Sequence, residues 1–501
     1  MSCEGHDSPL KVGAMKPDLH AQWWPVALMC LVVASLGLTA VAASAEDTGQ
    51  GRPPNIVFIM VDDLGKDWIS CYGGDDIQTP HIDRLAREGM SFDKAWSMPQ
   101  CTPTRATLLT GQYPYRTGWV NHWDVPRWGV GYFDWELNHT FARVLRSAGY
   151  RTAIAGKWQI NDFRLEPEAM DKHGFDEWCL WTGYETGVPA SAERYWDAYI
   201  NTRDGSRTYK DQFGPDVYNR FLVDFIKENR DRPWMVYYPM ALTHGPLVHT
   251  PDEMEAGDKW PRHKAMIRYM DKLTGQIVKA VDDSGQASDT LIIFTTDNGS
   301  GGGVYGTVGG VAPSGGKATM FEGGVCQPFI ARWKGVVEPG SRSDALTDFS
   351  DLFPTFIELA GAGIPDGLAV DGHSFADVLR GKSDVGHRDW ILSMGYGPAA
   401  RDVSGVRGVL DYAPRVIRDH QFKVWVSPDA KIEKFFDLKN DPYERTNMLD
   451  GGQLNAAAAA SMRKFQSVVD SMPLKDARPR YRPRAATPWD RPVNYPKPEN
   501  K

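Results

Sequence analysis

The run Asn55-Ile-Val-Phe-Ile-Met-Val61 is apolar after its first residue and rich in β-branched side chains. Lacking polar alternate positions, it reads as a strand buried on both faces, and such a strand needs helices above and below it. Thr152–Ala155, Trp234–Tyr238, Leu291–Thr296 and Phe329–Arg332 read as further strands. Between them, His81–Gly89, Phe141–Ala148, Val217–Asn229, Ala265–Val281 and Leu352–Ala360 have helical spacing; the first places Ile82, Leu85 and Ala86 on one face and stops at Gly89. Strands alternating with helices over this length predict an α/β fold with a large, mostly parallel sheet sandwiched by helices.

In such sheets the ligand site lies outside the carboxyl ends of the strands. Asp62 and Asp63 follow one strand, Lys157 a second, His244 a third, and Asp297 with Asn298 a fourth. Carboxylates, an amide, a lysine and a histidine are thus expected on one rim. Adjacent carboxylates repel each other unless a cation lies between them, and an oxygen-only set suits Ca2+ or, less well, Mg2+ rather than zinc. Asn298-Gly-Ser300 also spells a glycosylation sequon, but the asparagine fits the metal set better.

Past residue 385 the texture changes. Short runs at Trp390–Ser393, Arg415–Ile417, Phe422–Val426 and Phe435–Phe436 predict a smaller antiparallel sheet, followed by a helix around Ala456–Val469. The expected organisation is a leader over 1–45, a main domain over 46–385, an α+β subdomain over 386–472, and a Pro/Arg-rich tail over 473–501. That tail carries Arg478, Arg480, Arg482 and Arg484. It reads either as an extended segment or as a basic arm for a polyanion. The leader has Lys11 and Lys16, an apolar run from Pro25 to Ala43, and Ala43-Ser44-Ala45 before Glu46-Asp47, the order of a cleaved signal peptide. The competing reading is a membrane anchor, since the run approaches the ~20 residues needed to span. Cleavage predicts export, to a periplasmic or extracellular location, with no membrane attachment. It would leave Cys71, Cys101, Cys179 and Cys326, too few for a disulfide framework, so one disulfide at most is expected. A net charge of −8 argues against a nucleic-acid partner.

Cys101-Thr-Pro-Thr-Arg105 reads locally as a cysteine in a turn before a helix over Ala106–Leu109, a place where anions bind and thiol chemistry is altered. Followed by Ala-Thr-Leu-Leu-Thr-Gly111 and Tyr113-Pro-Tyr-Arg-Thr-Gly118, it resembles the signature of formylglycine-dependent sulfatases of the alkaline phosphatase superfamily. The resemblance extends along the chain through Asn55–Leu64, Thr79–Ala86, Tyr150–Trp158, Thr243–Pro246, Thr296–Gly299, Gly315–Lys317 with Phe321–Gly324, and Phe436–Pro442. It implies an alkaline-phosphatase-like fold, and a maturation enzyme that oxidises Cys101 to an aldehyde whose hydrate attacks sulfur. It further implies calcium held by Asp62, Asp63, Asp297 and Asn298 beside residue 101, and Arg105 orienting the hydrate. Lys157 and Lys317 would grip sulfate oxygens, with His244 at the leaving alcohol and Gln159 in the substrate site.

Two positions depart from the family pattern. Gly156-Lys-Trp-Gln159 has glutamine where the family usually has histidine, and glutamine cannot act as a base at neutral pH. Asp162 and Lys157 are the nearby candidates to replace it. Cys326 stands where a basic residue often follows Glu-Gly-Gly. The expected substrate is a sulfated carbohydrate or a small sulfate ester. Trp119, Trp123, Trp128, Tyr132 and Trp135, interleaved with His122, Asp124 and Arg127, and Trp178, Trp181 and Tyr184, read either as sugar-stacking faces or as packing. Other readings are a phosphodiesterase or phosphonate monoester hydrolase of the same superfamily, and a non-catalytic binder of sulfated glycans.

Overall fold

A computed structural model of the chain describes residues 52–122, 133–163, 166–181, 194–395, 397–402 and 405–479. The proposed leader, Trp123, Asp124, Arg127, Trp128, Tyr132, Tyr184 and the tail arginines Arg480, Arg482 and Arg484 lie outside the described residues.

The strands are β1 (Asn55–Val61), β2 (Met90–Trp96), β3 (Arg151–Lys157), β4 (Glu177–Trp181), β5 (Tyr199–Thr202), β6 (Gly205–Thr208), β7 (Trp234–Pro239), β8 (Thr290–Thr296), β9 (Cys326–Arg332), β10 (Ser341–Ser343) and β11 (Thr347–Asp348). They form one eleven-stranded sheet in the order β10-β2-β9-β8-β1-β7-β3-β4-β5-β6, with β11 beside β2. The centre is parallel: β1 pairs with β7 and β8, and β3 with β7 and β4. The strand over Phe329–Arg332 belongs to β9, which runs antiparallel to β8 and β2. Its reversal follows from the connection: the loop after β8 leaves the carboxyl rim and re-enters from that same rim, so the next strand must run the other way.

The absence of polar alternation in β1 has the expected consequence. Ile56, Phe58 and Met60 enter one core, and Val57, Ile59 and Val61 the other. The longer described helices are α1 (Pro80–Glu88), α2 (Cys101–Thr110), α3 (Phe141–Ser147), α4 (Gly214–Glu228), α5 (Lys259–Asp283), α6 (Leu352–Leu359) and α7 (Ala456–Ser471). Side chains of α2, α3 and α6 fill the first core; those of α1, α4 and α5 fill the second. Trp119, Trp178 and Trp181 are buried in this packing and Trp135 is packed against it, so those four rings serve the core rather than an open sugar platform.

The later strands are β12 (Ile391–Met394), a hairpin of β13 (Ala400–Asp402) and β14 (Gly405–Arg407), then β15 (Arg415–Arg418), β16 (Phe422–Val426) and β17 (Ile432–Asp437). An antiparallel sheet in the order β12-β15-β16-β17 packs one face on Phe465, Val468 and Val469 of α7. Its other face puts Ile391 and Val416 against Trp96 of β2 and Val325, which immediately precedes β9. Beyond α7 the chain stays attached: Asp476 is buried in a pair with Arg415 at 2.8 Å, and Arg478 meets Asp411 at 2.7 Å. The described cysteines Cys71, Cys101, Cys179 and Cys326 are all free thiols.

Candidate active site

The helix carrying Cys101 starts earlier than the sequence suggests. Proline is tolerated in a first helical turn, so Pro103 does not delay the helix, and Cys101 is itself its first residue. Thr104 locks that turn by donating from Oγ1 to the carbonyls of Gln100 and Asp297, both at 2.8 Å. Cys101 Sγ therefore sits at a helix N-terminus facing the end of β1, 3.5 Å from Asp62 Oδ1 and 3.8 Å from Asp63 Oδ1.

The residues after β8, β1, β7 and β3 meet there because those strands are adjacent and parallel in the sheet. Asp63 takes a left-handed backbone (φ 62°), and its amide donates to Asp297 Oδ1 at 3.1 Å. Asn298 Nδ2 donates to Asp63 Oδ1 at 2.9 Å. Lys157 Nζ lies 2.6 Å from Asp62 Oδ2, and Lys317 Nζ lies 2.6 Å from Asp63 Oδ1 and 3.2 Å from Cys101 Sγ. The loop bearing Lys317 is fixed by its amide to the Ser300 carbonyl and by the Ala318 amide to the Pro99 carbonyl, just ahead of Cys101. Arg105 is buried among these groups. Its Nη2 donates to Asp297 Oδ2 at 2.9 Å and its Nη1 to the Lys157 carbonyl at 3.0 Å. His244 Nε2 lies 3.6 Å from Asp63 Oδ2.

Most of this set is fully enclosed, whereas the side chains of His244 and Lys317 keep 21% and 20% of their exposure and form the open side. Burial would raise the Asp62 carboxyl, but the charges of Lys157, His244, Arg105 and Lys317 hold it well below the usual range. Asp297 is pushed up to about 7 by burial and by the Asp62 charge. Burial and the Asp297 charge also raise the Cys101 thiol, against the pull of Lys157 and Lys317. His244 is kept neutral by burial and by Lys317.

The donor set fits a hard cation. Asp62, Asp63 and His244 cluster with Cys101, and Asn298 Oδ1 is buried without a partner beside carboxylates crowded enough to raise Asp297. Oxygen ligands of this kind suit calcium.

Gln159 is buried two residues past β3, in a left-handed conformation (φ 74°), with Oε1 unpartnered. Of the candidate stand-ins for a base, Lys157 lies in the site, while the Asp162 amide donates to Glu166 Oε2 at 3.3 Å. Cys326 lies away from the site at the start of β9, with Sγ 3.2 Å from Lys66 Nζ. Sequence motifs did not assign to the site Arg194, whose Nη1 lies 3.2 Å from His244 Nδ1, or Ser300, named only in the sequon, whose hydroxyl accepts from the Gly65 amide at 3.0 Å. Ser300 could have been found from its place after Asp297-Asn298; Arg194 carries no local signal.

The family model described as Sulfatase matches residues 54–362, and one described as N-sulphoglucosamine sulphohydrolase, C-terminal, matches 316–470. The chain belongs to the sulfatase family. This sulfatase is 31% identical over 395 residues to N-acetylgalactosamine-6-sulfatase of Canis lupus familiaris, spanning 73% of this chain and 72% of that protein. It is 30% identical over 460 residues to Homo sapiens arylsulfatase A, spanning 82% of this chain and 86% of that one. Among solved structures, Ps i-CgsB superposes with a TM-score of 0.69 at 24% identity, covering 86% of this chain and 95% of that one, a likeness of fold. As a sulfatase the protein hydrolyses sulfate esters. No described helix is long and apolar enough to cross a membrane.

Proposed function

We propose that this sulfatase is exported and removes sulfate from a glycan, using a formylglycine made from Cys101 by a maturation enzyme and a calcium ion held by Asp62, Asp63, Asp297 and Asn298. One observation carries the reading: Cys101 opens a helix within hydrogen-bonding reach of Lys317 and beside the Asp62-Asp63 pair. The glycan rests on the likeness to N-acetylgalactosamine-6-sulfatase, and export on the leader-like order of residues 1–45.

The bound ion would polarise sulfuryl oxygens, and the aldehyde hydrate would supply both the attacking hydroxyl and a second hydroxyl for releasing sulfate. The remaining work falls to the chain's own residues. Lys157 and Lys317, now paired with Asp62 and Asp63, exchange those partners for sulfate oxygens and offset the charge that builds there. Arg105 acts by holding Asp297 and the end of β3, and so positions the carboxylates around residue 101. His244, on the open side, stabilises the leaving alcohol oxygen. Gln159 offers a hydrogen bond only.

The test is peptide mass spectrometry across Cys101 in protein from its native host, with turnover of matched sulfate and phosphate esters. The mass change of a thiol replaced by an aldehyde, with preference for sulfate, is the expected result. An unmodified thiol in active protein, or preference for phosphate, would overturn the proposal.

A further inference from the structure

Arg194 is a buried basic side chain beside His244. Its exposure is 4%, and among the described residues no carboxylate pairs with it. Its Nε is buried with no hydrogen-bond partner. The Trp181 ring covers one face of the guanidinium, 4.2 Å from ring centroid to Cζ. A ring quadrupole offsets only part of the cost of burying a guanidinium, and a buried cation without a counter-ion is unfavourable.

The contact with His244 does not remove that cost. Nδ1 of His244 lies 2.6 Å from the Gly245 carbonyl and 3.2 Å from Arg194 Nη1. A neutral imidazole supplies no counter-charge whichever nitrogen carries its proton, and the arginine Nε stays without a partner. The residues that follow the arginine are anchored. Tyr195 OH donates to the Ala241 carbonyl at 2.8 Å and also to that of His244, and the Trp196 indole donates to His249 O at 2.9 Å. A buried cation on an anchored segment, with an unpaired Nε–H, is preorganised for an anion.

Its place indicates which anion. His244 Nε2 points to Asp63 and Nδ1 to Arg194, so Arg194 lies one imidazole ring farther from Cys101 than the group contacting the leaving oxygen. With His244 at the leaving oxygen, as proposed above, that is the leaving-group side. We infer that Arg194 forms a second anion subsite, which binds another sulfate or a carboxylate on the sugar residue carrying the scissile ester or on its neighbour. The inference rests on the proposed sulfated-glycan reading and narrows it to substrates with at least two anionic groups.

Calorimetric binding to protein with unmodified Cys101, at fixed salt, tests it without turnover. The probes are a galactose monosulfate, a galactose disulfate, and a monosulfated disaccharide carrying glucuronate. A charge-assisted hydrogen bond corresponds to about ten- to a hundredfold in affinity, so one of the two dianions should exceed the monosulfate by that factor. Which dianion does so distinguishes sulfate from carboxylate. Arg194→Met should bring the ratio to within about threefold of unity, and Arg194→Lys should retain part of it. Equal binding of all three probes to the unaltered protein would overturn the inference without any variant. So would a preference that survives Arg194→Met, or Arg194→Gln if the methionine variant does not fold. Hydrolysis of an aryl sulfate by matured enzyme is read separately and bears on the sulfatase proposal alone.

Discussion

Replacing Lys423 by methionine should release the small sheet from the loop that carries Lys317. Lys423 is fully buried on β16, with Nζ 3.1 Å from Glu322 Oε1 and 3.0 Å from Glu444 Oε1, and 4.9 Å from the Trp96 ring centroid. Glu322 belongs to the segment leading from Lys317 into β9; it also pairs with Arg418 at 2.8 Å. Burial alone would raise the Glu322 carboxyl, yet Lys423 and Arg418 hold it down to about 2. Glu444 is raised by burial despite Lys423. In Lys423→Met, Glu322 keeps Arg418, while Glu444 keeps only neutral donors, the Glu322 amide at 2.7 Å and the Trp425 indole at 3.1 Å. Breaking a buried pair commonly costs 3–5 kcal/mol; with methionine filling the volume and those two bonds retained, about 3 kcal/mol is expected. Denaturant unfolding followed by tryptophan fluorescence measures it, since Trp96 and Trp425 both border the cluster. A raised Glu444 carboxyl binds its proton more tightly folded than unfolded, so the loss should grow as pH rises above about 4.5. Adding Glu444→Gln should recover more than about 1 kcal/mol by removing the stranded charge. A cost below about 1 kcal/mol, or a double variant no more stable than the single, would refute the reasoning.

Chelation should abolish turnover and lower the unfolding midpoint, and calcium at a hundred times its dissociation constant should restore about 2.7 kcal/mol; indifference of both to chelator would remove the ion from the site. Gly156→Ala should cost about 4 kcal/mol or more, read from the denaturation midpoint, because φ is 118° and a Cβ would collide with the Pro239 carbonyl oxygen beside Lys157; an unchanged midpoint would contradict this. His173 is buried with Nε2 2.9 Å from the Phe133 carbonyl, and burial lowers its pKa to about 3. The unfolded chain therefore binds the extra proton between about pH 6.5 and 3, and folding stability falls by about 1.4 kcal/mol per pH unit as pH drops through that window. His173→Gln should flatten that slope, and identical slopes in the two proteins would exclude the histidine as its source.

The elements legible in the sequence are those whose burial is total. β1, β7 and β8 are buried at every position, so their apolar runs survive without alternation. β6, Gly-Ser-Arg-Thr, lies on the sheet edge with little buried surface, and nothing local distinguishes it from a loop. β2 interrupts its apolar positions with half-buried Asp93 and Lys94, which blurs its period. Cys101 shows the opposite difficulty: Thr-Pro-Thr resembles a turn in isolation, and only the bonds from Thr104 to Gln100 and Asp297 make it a helical first turn.

The site divides along the same physical line. Asp62, Asp63, Lys157, Asp297 and Asn298 are attached directly to strand ends, so a parallel sheet brings them together wherever its strands are adjacent. Cys101 and Lys317 depend on loops, but those loops carry motifs whose backbone bonds can be anticipated as a unit. Arg194 depends on neither. Its position is set by Trp181 on β4 and by the hydroxyl of Tyr195 reaching the carbonyls of Ala241 and His244, contacts between side chains and distant backbone. Such contacts leave no period or spacing in the chain. The chemistry shared with the family is therefore legible from strand ends and motifs, whereas a group that chooses among sulfated substrates is visible only once the fold has brought it beside His244.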